Sequence, residues 1–147
     1  MKKTIIAISL DDIVTQVLAR TAVRHHMSAD CPPVLTADQA PALKLMAKSG
    51  FGMLCLALLS VVEDCDVDND DVLSLHVCVP RQADTVALRL LMEQAVVCHI
   101  FSQVYHGTDY SGLARTYLEE FDSLSTRLRS MARGGGACQA TIRPAWM

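Results

Sequence analysis

An apolar stripe near the C-terminal end constrains this chain more than any other feature. Tyr110, Ala114, Tyr117, Phe121, Leu124, Leu128 and Met131 recur at a repeating four-three spacing. On a helix of about 3.6 residues per turn that spacing gathers all seven side chains on one face. The opposite face is charged, with Glu119, Glu120 and Asp122 preceding Arg127, Arg129 and Arg133. Positive charge thus collects where the helix dipole favours it. A helix so one-sided is stable only against other apolar surface, which the rest of the chain must supply.

The rest of the chain has the means to do so. Of 147 residues, 51% are apolar but only 5% aromatic, so the core is expected to be built from Leu, Val, Ile, Ala and Met, which suits helices packed on helices. Ser9 with Asp12 marks a helix start, and Leu10, Ile13, Val14, Val17, Leu18 and Thr21 carry a first helix to about residue 26. Pro32 and Pro33 make the next segment a loop. Thr36, Asp38 and Gln39 offer caps for a second helix, with Pro41 in its first turn and Leu43, Leu45, Met46, Phe51, Leu54, Leu58 and Val62 as its apolar positions. The phrase Ser49-Gly50-Phe51-Gly52 reads as a close helix-helix contact rather than a nucleophile elbow. Asp84 caps a third, nearly all-apolar helix through about residue 106, expected to be the central element, with Leu91, Ala95 and Phe101 in the core.

Strand signals are sparse. Leu73, Leu75, Val77 and Val79 alternate with Ser74, His76 and Cys78 until Pro80 stops the run, the pattern of a half-buried strand. Residues 4–8 are rich in β-branched side chains and could add a short strand, and residues 63–71 read as an acidic loop. The fold class expected is therefore mainly α, a bundle of about four helices with a small accessory β element: a strand near 72–79 and a candidate strand near 139–142. Residues 1–133 form the single helical domain. Gly134-Gly135-Gly136 then introduces a C-terminal tail, 134–147.

The chemistry-bearing residues do not assemble into a known motif. Asp64, Asp66, Asp68, Asn69, Asp70 and Asp71 invite comparison with a calcium loop, but started at Asp66 the glycine position is Asp71 and the bidentate-glutamate position is Val77. Started at Asp64 the same positions are Asn69 and Leu75, so both registers fail. His25 and His26 diverge around a helix, and His76, His99 and His106 have neither helical zinc spacing nor a Cys-x-x-Cys companion. They read as surface or helix-end histidines. No phosphate-cradling glycine loop is present, and no cofactor is expected.

Thirteen basic against 16 acidic residues, interspersed, give no footprint for nucleic acid, and Arg127, Arg129 and Arg133 read as a solvated helix end. The apolar run at 50–62 is too short to span a bilayer, and the N-terminal apolar stretch stops at Asp11-Asp12, short of a signal peptide. The expected setting is cytoplasmic, with Cys31, Cys55, Cys65, Cys78, Cys98 and Cys138 reduced.

The order of these signals resembles a known family. A helix opening Leu10-Asp11-Asp12-Ile13, an apolar helix, an acidic loop, the strand 73–79 closed by Pro80, and two long helices ending in Arg127 to Arg133 are similar to the small head-tail connector, or neck, proteins of tailed bacteriophages and prophages. The resemblance implies a non-enzymatic structural protomer that assembles into a ring, with copies of itself or neighbouring virion proteins as partners and the assembled virion as its destination. The tail then becomes the candidate partner-binding element, through Ile142, Arg143 and Trp146. The alternative is a helical small-ligand-binding or regulatory module, whose ligand would sit in a Met- and Cys-lined interior between the second and third helices.

Overall fold

The computed structural model describes residues 2–27, 35–59, 62–67 and 71–133. Strand β1 (Lys2–Ser9) runs directly into helix α1 (Leu10–Met27). A single 3-10 turn at Ala37–Gln39 precedes α2 (Ala40–Ala57), and strands β2 (Val62–Val67) and β3 (Val72–Val79) lead to α3 (Thr85–Tyr105) and α4 (Ser111–Arg133). The fold is mainly α, four helices with a small antiparallel sheet, as the patterning predicts. Among the described residues the sheet has three strands in the order β1-β3-β2.

One of those strands corrects the sequence reading, and another bears out the candidate strand at residues 4–8. The acidic segment expected to be a loop contains β2, which pairs with β3 from Val62 opposite Val77 to Val67 opposite Leu73, with an irregularity between Val62 and Asp64. Pairing with a strongly β-forming neighbour overrides the weak propensity of aspartate here. The second partner of β3 is β1, in register from Lys2 opposite Val79 to Ser9 opposite Val72. The candidate strand near 139–142 lies outside the described residues, as does the whole tail with Ile142, Arg143 and Trp146.

The register puts Ile6, Ile8, Leu73, Leu75, Val77 and Val79 on one face, and all six are buried beneath the helices. Asp71 closes the β2–β3 turn at φ 60°, a left-handed conformation that aspartate tolerates better than most side chains. Its carbonyl accepts from the Leu10 amide at 2.8 Å, and its carboxylate and that of Asp11 both meet Lys44 Nζ at 2.9 Å. One lysine of α2 thereby ties the start of α1 to the sheet. The same ammonium holds the Asp71 carboxyl below its ordinary range.

Helix α3 is the central element, as expected. Asp84 caps it, its Oδ1 accepting from the Val86 and Ala87 amides at 3.1 Å each. Its buried residues run without a break from Ala95 to Phe101. By length and composition alone α3 could cross a membrane, but more than half of that stretch is buried inside this fold. Helix α4 lays the predicted stripe upon it: Ala114, Tyr117, Phe121, Leu124 and Leu128 are buried, with Tyr110 and Met131 packed at the ends. Phe101 stacks on Tyr117 with centroids 4.9 Å apart, and Arg24 of α1 donates to the Tyr117 hydroxyl while lying over its ring. Leu91, expected in the core, is only partly buried.

Candidate functional site

Helix α2 has two apolar stripes, and only one of them is used internally. Leu43, Ala47, Gly50, Phe51, Leu54 and Cys55 face the core. The second stripe faces outward: Leu45 and Leu59 are each 67% exposed, Leu56 61% and Met53 48%. Leu45 and Gly52 are seven residues apart, as are Ser49 and Leu56, which is the spacing of a helix-packing seam, and Leu59 follows just past the helix end. Outside the helix's own backbone, no described residue lies within 4 Å of where a Gly52 side chain would begin, so the seam has a flat centre. Leu45, read only as one of the helix's apolar positions, is thus an exposed residue. With apolar side chains around the whole helix, periodicity alone could not say which stripe turns inward.

A second exposed apolar patch lies where β1 meets α3. Alternation turns Ile5 outward at 61% exposure, beside Val86 at 56% and Leu90 at 49% on the first turns of α3. Between them runs a groove of about 270 Å³ bounded by residues 4–7, Thr85, Val86 and Arg89. Because α2 packs against β2 and β3 whereas α3 packs against β1, the two patches lie toward opposite edges of the sheet.

A cleft of about 820 Å³ lies between α3, the α3–α4 turn and α4, with Met46 of α2 at one side. Gly107 makes the turn at φ 72°, which a side chain would strain, and Thr108 closes it by donating to the Tyr105 carbonyl at 2.6 Å. His99 belongs to this cleft, although it reads in the sequence as a surface or helix-end histidine. It is only 6% exposed, its ring meets Phe121 edge-on at 5.3 Å, and its Nδ1 has no hydrogen-bond partner among the described residues. Burial lowers its pKa and holds the imidazole neutral. The predicted close helix contact is here: a Cβ on Gly50 would lie 3.1 Å from both Cβ and Nδ1 of His99.

The remaining candidates resolve as follows. Burial pushes the Cys98 thiol up to about 12, which makes it a poor nucleophile. Cys55 and Cys98 pack in the core rather than lining the cleft, so the cavity is more polar, and nearer to α4, than the interior expected between the second and third helices. Among the described residues no three His, Cys, Asp or Glu side chains are grouped to hold a metal. Arg129 departs from the solvated helix end assigned to it. Its Nε and Nη2 donate to the Ala57 carbonyl at 2.9 and 2.6 Å, so it closes the C-terminal end of α2. No family model, curated protein or solved structure matches this chain, which leaves its own geometry to carry the functional argument.

Proposed function

We propose that this chain is a non-enzymatic structural protomer that assembles with copies of itself into a closed ring, in the manner of the head-tail connector proteins its element order resembles. The observation that carries the proposal is the outward stripe of α2. Leu45, Met53 and Leu56, with Leu59 just past the helix end, together leave on the order of 400 Å² of apolar surface, the size of a monomer's largest patch, which is often functional. The small residues Ser49 and Gly52 at its middle let a neighbour approach the backbone. A ring needs two different surfaces, one for each neighbour, because a single self-complementary patch stops at a dimer. The patch of Ile5, Val86 and Leu90 toward the opposite sheet edge supplies the second. The tail remains part of the proposal as a further anchor, with Ile142, Arg143 and Trp146 reaching a neighbouring protomer.

Sedimentation velocity of the full chain over a range of concentrations tests this reading. The wild type forms a discrete oligomer, and Leu56→Glu, a change on an exposed position, shifts it to monomer with its helical circular dichroism intact. A wild type that remains monomeric at high micromolar concentration, or a Leu56→Glu variant that sediments as the wild type does, overturns it.

A further inference from the structure

An edge strand leaves backbone groups to be satisfied. Among the described residues β1 pairs with β3 alone, so the amide and carbonyl of every second β1 residue point away from the sheet. The groove of about 270 Å³ follows that edge. Four consecutive strand residues, 4–7, border it, whereas a groove on one face of the strand would meet only alternate ones. Its other wall is the start of α3, with Thr85, Val86 and Arg89, and the exposed side chains of Ile5 and Val86 stand at its rim. A free strand edge beside a helix is the form of a site that takes an extended segment as an added strand.

The chain itself offers such a segment. Residues 137–142, Ala-Cys-Gln-Ala-Thr-Ile, follow the three glycines, and as a strand they would set Cys138, Ala140 and Ile142 on one side. Pro144 ends any ladder two residues later. Where α4 stops selects the partner. Arg129, one turn before that end, is bonded to the Ala57 carbonyl at the end of α2, and α2 leads into β2. The segment thus departs from the α2 side of the molecule, whereas its own β1 is the opposite edge of the sheet.

We propose that residues 137–142 of one protomer add as a strand to the free edge of β1 in the next, with Cys138, Ala140 and Ile142 turned toward Val86 and Leu90. Only in the assembly proposed above does the α2 side of one copy face the β1 edge of another, so this strand addition rests on that reading.

The test is photo-crosslinking of the full chain carrying Ile142→benzoylphenylalanine, with sedimentation of the same sample. A discrete oligomer whose crosslinks join two chains and map to residues 4–7 or 85–90 is expected. Ala140→Pro and Thr141→Pro in the full chain supply a readout that loss of an unstructured tail would not. Successive amides of an added strand alternate between ladder and solvent, so one of the two variants lowers crosslink yield at least about tenfold and the other far less. An oligomer whose crosslinks do not form or fall elsewhere, the chain's own β2 included, overturns the strand addition and leaves the ring standing, as do two proline variants of equal effect. A chain that stays monomeric, without crosslinks between chains, overturns both.

Discussion

Replacing Gly50 and Gly52 by alanine, one at a time, sets two effects of the same mutation against each other. In a helix interior alanine is favoured over glycine by about 0.8–1 kcal/mol. At Gly52 that gain stands alone, since no described residue beyond the helix's own backbone lies within 4 Å of the new methyl. At Gly50 the methyl meets His99 Cβ and Nδ1 at 3.1 Å and Cγ at 3.2 Å, tighter than ordinary contact. His99 cannot retreat easily because Phe121 stands on its ring and its backbone lies in the most buried stretch of α3. Overpacking of this kind costs roughly 1–3 kcal/mol. The balance is a loss of about 1 kcal/mol for Gly50→Ala and a gain of about 1 kcal/mol for Gly52→Ala, a separation of roughly 2 kcal/mol. Urea denaturation of dilute protein, with unchanged slope, reads that separation as a shift in midpoint. If the two variants are equally stabilised, α2 and α3 do not cross as closely as Gly50 implies and the reasoning fails.

Two further outcomes follow from the same packing. Phe121→Ala removes a buried ring that joins α4 to His99, and should cost about 3–5 kcal/mol by urea denaturation; a loss under about 1 kcal/mol would show the seam to be unpacked. Because the folded pKa of His99 lies below the unfolded one, the unfolded chain binds the extra proton as pH falls, so stability present above the ordinary histidine value is lost below it. Between about pH 7 and 5, His99→Gln should therefore flatten the fall in urea midpoint, and an unchanged slope against pH would contradict a buried neutral imidazole.

The parts of the fold that local pattern determines were legible before the structure. The α4 seam, the Asp84 cap, the strand from Leu73 to Val79 and the glycine contact in α2 each follow from spacing or from one residue's chemistry. What was missed depends on partners distant in sequence. Residues 62–67 become a strand because β3 lies alongside, and no property of an aspartate-rich hexamer announces it. Leu45 faces outward because the opposite stripe of α2 happens to meet α3, and both stripes are apolar enough to serve. His99 had one usable signal, its place between Ala95 and Phe101 in a segment with no charged residue from Gln94 to Tyr105, which argues for burial more strongly than its residue type argues against it. Arg129 gave none, since the carbonyl it closes belongs to another helix.

The central claim, ring assembly through two different surfaces, is tested most directly by mixing two variants that each lack one surface. Leu56→Glu spoils the α2 stripe and leaves the β1–α3 patch intact, while Leu90→Glu does the reverse; both positions are exposed, so both variants fold. Sedimentation equilibrium of each alone and of an equal mixture decides the matter. The account predicts that each variant alone is monomeric and that the mixture forms a one-to-one dimer that grows no further. A mixture that stays monomeric, or a Leu90→Glu variant that oligomerises by itself, would contradict it.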